Sequence, residues 1–292
     1  MSLVPDQTFE TAFELWEHLS PTKRKSISDD QIIYRGHADA QWDILPTLLR
    51  QESRQLLGKL KDAPLMNEEL VRKEFNHLRL FLKCCDESGV DVPNDSLHLR
   101  EWVYSDTNFR NFHDFPSTWP SDEFLEVMAF GRLHGLPTRL IDWSWNPYIA
   151  VYFAVSEALL NQEEWRPDQR LAVFEFDIAS DRDSIRPIRI LNIRGSISPN
   201  VVAQQGLFTV HPSSGKHGEE IQIESLEYYI PSISKSLLKM VSIPVSQVPE
   251  LYKLCVISGY NGARLFPGPE GAVRTYREIQ MLDVAEERVS SL

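Results

Sequence analysis

Hydrophobic positions recur with a helical period through most of the first half of the chain, and strand-like alternation gathers in the second half. Residues 8–20, TFETAFELWEHLS, place Phe9, Phe13, Trp16 and Leu19 on one helical face. PTKRKSISDD reads as a polar loop, and QIIYRG as a short strand closed by a glycine. LPTLLR starts a helix with proline near its first turn. From about 51 to 112 the pattern is helical, and NEELVRKEFNHLRLFLK turns Leu70, Val71, Phe75, Leu78 and Leu82 toward a core. SDEFLEVMAFGRL (121–133) predicts a helix with Ser121 as its N-cap. NPYIAVYFAVSEALL (146–160) is apolar nearly all round at its start, which predicts a buried helix with Pro147 in the first turn.

RLAVFEFDI alternates as a strand does, and QQGLFTVHP, EIQIESLEYYIP and KLCVIS are further strand candidates. The predicted class is α+β, with a mixed or antiparallel sheet core and a helical insertion over 51–112. Residues 1–29 form an N-terminal helix and loop on this reading. DVAEERVSSL predicts a polar, fraying tail over 281–292.

Composition changes this picture in one respect. Hydrophobic content of 42% and charged content of 25% are ordinary, but the net charge of −12 disfavours nonspecific adhesion to nucleic acid. A local basic pocket for one or two phosphates stays open, because its field depends on a few arginines. No segment approaches about eighteen uninterrupted apolar residues, so no membrane partner is expected. The N-terminal residues lack both a basic leader and an apolar h-region. Cys84, Cys85 and Cys255 form no CxxC. Together these predict a cytoplasmic protein.

The candidate chemistry narrows by elimination. His211 and His217 lie six apart across HPSSGKH with no acidic or cysteine partner at ligand spacing, so no metal is expected. SGKH lacks the upstream glycine and following Ser/Thr of a phosphate loop, and no GxSxG frame exists. Arg35, at a strand end beside Gly36, can clamp a phosphate or carboxylate through two parallel bonds, or be a structural arginine. In LHGLPTRLIDWSWNPYIAVYFA (133–154), Arg139 and Asp142 interrupt an apolar run and could pair across one helical turn. Such a pair either braces a turn beneath Trp143 and Trp145 or lines a pocket with aromatic faces for a base. Gln204 and Gln205 precede Gly206, and Gln222 and Glu224 share a face if their segment is a strand.

YRGHADAQWDILPTLLR, HGLPTRLIDWSWNPYIAVYFA, AQQGLFTVHP and ARLFPGPEGAV occur in an order that resembles the FRG domain family, named for a Phe/Tyr-Arg-Gly element, here Tyr34-Arg35-Gly36. The resemblance runs from about residue 30 to 278 and implies an FRG domain over 30–280. The family's Pro-Thr-Arg-Leu-Leu-Asp-Trp run keeps every residue here except Ile141 for the second leucine. Its usual Gln-His is replaced by Arg132 and Leu133, with His134 directly before Gly135.

The layout in turn looks like that of ADP-ribosyltransferases. This implies a split sheet, NAD as substrate, an unknown macromolecular acceptor and no metal. By that analogy Arg35 grips NAD, with Tyr34, Gly36, His134, Thr138, Arg139, Asp142 and Trp143 around it. Gln205 by motif, or Glu224 by chemical type, supplies the catalytic polar group. The alternative is a noncatalytic nucleotide- or protein-recognition module on the same pocket.

Overall fold

Strand β2 (Ile32–His37) sits at the centre of a seven-stranded sheet because apolar residues cover both of its faces. The computed structural model describes residues 5–23, 31–50, 53, 65–213 and 215–290. Residues 51, 52 and 54–64 of the predicted insertion, residues 24–30 of the predicted loop and the last two residues of the predicted tail lie outside these.

The other strands are β1 (Gln7–Thr8), β3 (Leu140–Ser144), β4 (Arg170–Asp177), β5 (Arg189–Leu191), β6 (Gly206–Val210) and β7 (Leu238–Pro244). Their order is β1-β7-β4-β2-β3-β6-β5, antiparallel except for the parallel β1–β7 pair. The predicted α+β class holds, with a mixed sheet. Ten helices accompany it among the described residues: α1 (Ala12–His18), α2 (Asn67–Ser88), α3 (Leu97–Tyr104), α4 (Asp106–Asp114), α5 (Asp122–Leu133), α6 (Pro147–Leu160), α7 (Pro199–Ala203), α8 (Val248–Ile257), α9 (Gly262–Leu265) and α10 (Pro269–Val289).

Directly paired residues point to the same side of a sheet, and alternate residues along a strand share a face. The Tyr34↔Ser144 pair therefore puts Tyr34, Asp142 and Leu140 on one face. On that face α1, α6, α8 and α10 cover the half holding Tyr34, Val173 and Val241. The α2–α5 block covers the half holding Leu140, Phe208 and Val210. The opposite face, with Ile33, Phe174, Phe176, Ile141 and Trp143, is closed by irregular segments carrying Ile44, Ile185, Leu226 and Ile230.

The predicted strands at QIIYRG, RLAVFEFDI and GLFTV form, as do the helices of α5 and α6. Ser121 occupies the N-cap of α5 with extended backbone but makes no side-chain cap bond, whereas Asn146 caps α6 by accepting from the Tyr148 N–H. Four local expectations differ. LPTLLR yields only a 3₁₀ turn, Thr47–Leu49. KLCVIS is the end of α8, a helix with Pro249 in its first turn. EIQIESLEYY forms an isolated bridge at Glu220 and a 3₁₀ turn at Leu226–Tyr229, so Gln222 and Glu224 share no strand face. Residues 281–289 are the last turns of α10, held by the fully buried Ala285. At the N-terminus, α1 buries Ala12 and Leu15 and leaves Phe13 exposed, because Thr11 caps the helix two residues after Phe9.

Candidate functional site

β2 and β3 meet at the single register pair Tyr34↔Ser144 and then part. Beside the parting lies a cleft of about 570 Å³, bounded by α5, α6, the end of α7 and the start of α10. Arg35 follows Tyr34, so alternation turns it away from the helices and toward the gap. Its Nη1 donates to the Asp142 carbonyl at 2.8 Å, bridging strands that no longer pair. Its Nε donates to His37 Nε2 at 2.9 Å. That imidazole nitrogen must be the acceptor, so Nδ1 carries the proton and donates to the Trp42 carbonyl at 3.3 Å. Burial, with Arg35 and Arg50 beside it, pushes the His37 pKa well below its ordinary value. His37 is a neutral brace that fixes the guanidinium.

The electrostatics are unbalanced toward positive charge. Arg132, at the C-terminal end of α5, donates from Nη2 to Asp142 Oδ2 at 2.6 Å, while Arg35 Nη1 lies 3.8 Å from the same oxygen. Burial and the neighbouring Arg50 lower the Arg35 pKa to about 10, against the opposing pull of Asp142. Burial alone raises the Asp142 pKa, but Arg132, Arg35 and Arg50 outweigh it and hold the carboxyl below the usual range. The Arg132 Nε is buried without a hydrogen-bond partner.

A lowered folded-state value means that the Asp142 contribution to stability is present above roughly pH 4 and is lost as pH falls through the folded value. Asp142→Asn is expected to be less stable than wild type at pH 7, and that gap should close below about pH 4. Urea midpoints across pH read this directly; a gap independent of pH would remove Asp142 from the charge network.

The facing wall comes from α6. Ala150, Phe153 and Glu157 recur at helical spacing along the cleft. Gly36 lets this helix approach, since a Cβ there would stand 1.9 Å from the Ala150 carbonyl oxygen. Arg274 of α10 closes one end, donating to Tyr152 Oη at 3.0 Å and Ser156 Oγ at 2.8 Å. The fully buried Glu278 pairs with it at 3.1 Å, and the Phe266 ring stacks beneath its guanidinium. Trp42, 43% exposed, offers an accessible aromatic face at the rim.

Of the residues singled out in the sequence, Tyr34, Arg35, Gly36, Asp142, Trp143 and Gln204 line this cleft. Trp143 contributes as floor and not as a stacking shelf: it is 3% exposed, and its Nε1 donates to Thr209 Oγ1 at 2.9 Å. The expected Arg139–Asp142 pair does not form. The segment is extended there, and positions three apart in extended chain face opposite ways. Arg139 instead pairs with Glu74 of α2 at 2.7 Å, both side chains buried.

Thr138 is buried outside the cleft and accepts from the Leu140 N–H through Oγ1. His134 is the exposed C-cap residue of α5, packed on Phe130. Gln205, with φ of 46°, gives its carbonyl to the Trp145 N–H, while the neighbouring Gln204 is the amide that reaches the cleft. Glu224 lies by the buried His211, whose Nε2 bonds its carbonyl at 2.8 Å. It does not line the cleft that holds Arg35. Sequence reasoning missed Arg50, Trp42, Glu157 and Arg274, and noted Arg132 only as a departure from the family pattern.

Among the described residues no helix is long and apolar enough to cross a membrane. No curated protein and no solved structure matches the chain. The family model of the FRG domain matches residues 30–163, which hold β2, β3 and α6 and with them Arg35, Arg132, Asp142 and Glu157. Over residues 30–163, therefore, the chain is similar to the FRG domain family.

Proposed function

We propose that the cleft between β2 and β3 binds a phosphorylated nucleotide, with NAD as the first candidate. The observation that carries this reading is the gathering of Arg35, Arg50 and Arg132 around Asp142, with Glu157 the other carboxylate lining the cleft and the buried Arg132 Nε left unpartnered. A bound phosphate supplies the missing negative charge and hydrogen-bond acceptors. It also offsets the burial, and after it the repulsion from Arg50 and Arg132, that lower the Arg35 pKa. The volume of about 570 Å³ falls in the range of small-molecule sites. Trp42 offers a face for a base.

Calorimetry with NAD, ADP-ribose and ADP tests this. Binding is expected for each, and Arg35→Ala should weaken it roughly ten- to a hundred-fold, the worth of a charge-assisted contact. Arg35→Lys should recover only part of the loss, because an ammonium cannot reproduce the planar fork. No binding of any of the three, or binding indifferent to Arg35, overturns the reading.

ADP-ribosyl transfer is favoured by one further observation. Glu157 lines the same cleft, and its carboxylate makes no hydrogen bond or ion pair among the described residues. In that reaction the bond between nicotinamide and ribose breaks, with the electron pair leaving on the nicotinamide nitrogen. An acceptor then bonds to the ribose carbon and loses a proton, and a carboxylate steadies the positive charge in between. NAD incubated with the protein should release nicotinamide. Glu157→Gln should slow that release with little change in affinity. Arg35-dependent binding with no nicotinamide formed leaves a recognition module.

A further inference from the structure

We infer that His113, Asp114 and His217 form a binding site for a divalent transition-metal ion of the zinc class. The three residues come from the C-terminal end of α4 and from the segment after β6, 104 positions apart in the chain. One ligand atom from each lies within 4.8 Å of the other two. None of the three lines the cleft, so the site is separate from the proposed nucleotide pocket.

The orientation of His217 carries the argument. Its Nδ1 lies 3.1 Å from the His113 backbone carbonyl, which can only accept. Nδ1 therefore holds the proton, and Nε2 presents a lone pair. A carbonyl on the far nitrogen is the outer-shell partner that fixes the tautomer and aim of a ligating imidazole. The His113 ring meets the His217 ring edge to face at 4.9 Å, and its Nδ1 lies 3.1 Å from Asp114 Oδ1.

The loop bearing His217 is held on both sides. Asn67 Nδ2 donates to the carbonyls of Lys216 at 3.4 Å and Glu219 at 2.9 Å, and Gly218 N–H donates to Glu68 Oε2 at 3.0 Å.

Two imidazoles and a carboxylate suit zinc, cobalt or nickel; magnesium and calcium prefer all-oxygen sets. Ligand atoms around tetrahedral zinc stand roughly 3.3 Å apart, a contraction that half-exposed and exposed side chains reach by rotation. Three protein ligands leave a fourth position for water. The spacing of His211 and His217 conceals this site, because His211 is buried elsewhere and the true partners lie on α4.

Metal-stripped full-length protein titrated with Co²⁺ is expected to bind one equivalent and to show tetrahedral d–d absorption without a thiolate charge-transfer band. Zn²⁺ should displace the cobalt. His113→Ala and His217→Ala should each weaken uptake by about tenfold or more, with circular dichroism unchanged because the residues sit at the surface. No uptake up to about millimolar metal, a thiolate band, or uptake retained in the double His113→Ala/His217→Ala variant overturns the assignment.

Discussion

Alanine in place of Glu74 is expected to cost about 3–5 kcal/mol of folding free energy, the penalty of stranding a buried charge. Glu74 is 1% exposed and Arg139 3%. Glu74 Oε2 accepts from Arg139 Nε at 2.8 Å and Trp119 Nε1 at 2.6 Å, while Oε1 accepts from the Arg139 backbone N–H at 3.2 Å. One carboxylate thus ties α2 to the segment before α5 and to the entry of β3. Its loss leaves a guanidinium, an indole N–H and a backbone N–H unsatisfied together.

At about 2–4 °C per kcal/mol, the melting temperature should fall by roughly 6–20 °C. Replacing the pair together, Glu74→Leu with Arg139→Met, should recover much of the loss, since no unpaired charge then remains inside. An alanine variant within about 1 kcal/mol of wild type, the worth of a surface pair, would contradict a buried role. The charge in the middle of an apolar run is therefore structural at Arg139 and belongs to the cleft at Asp142.

Gly36→Ala is expected to damage fold and cleft at once. The new methyl would meet the Ala150 carbonyl oxygen at 1.9 Å and the Ala154 Cβ at 2.9 Å. The first obstacle is helix backbone and cannot swing aside. Either α6 lifts from β2 or β2 shifts from its neighbours. Overpacking a tight site costs about 1–3 kcal/mol and sometimes more, and here it also moves Arg35 and Glu157 relative to each other. Denaturant midpoints should drop. Nucleotide affinity, measured at temperatures where the variant remains folded, should fall as well. Wild-type stability in this variant would show that the contact is looser than the geometry states.

The parts of the molecule legible in sequence are those whose pattern has one physical solution. RLAVFEFD alternates apolar and polar residues from Phe174 to Asp177 and becomes β4. The run after Asn146 is apolar on all sides and becomes the helix packed on β2. KLCVIS is short and apolar, a pattern shared by strands and buried helices; the signal for helix was Pro249, four residues before Lys253, in a first turn.

At the site, Arg35 and Gly36 were readable because an arginine beside a required glycine has a local cause. Glu224 failed because its placement assumed a strand that never forms. Arg132, Arg50 and Arg274 reach the cleft from three separate segments. Only tertiary structure brings such residues together. Glu157 alone had a local clue, one helical turn beyond Phe153.

The edge pairing of Gln7 with Val241 has a consequence for the growing chain. The strand Gln7–Thr8 finds its partner only after more than two hundred further residues have emerged. At about 5–20 residues per second, that wait is on the order of ten seconds or more. β2 faces the same delay on a smaller scale, since its long antiparallel partner, β4, follows α6. Contacts of such sequence separation slow folding. Until they form, the nascent sheet exposes open strand edges, each a template on which another chain can pair.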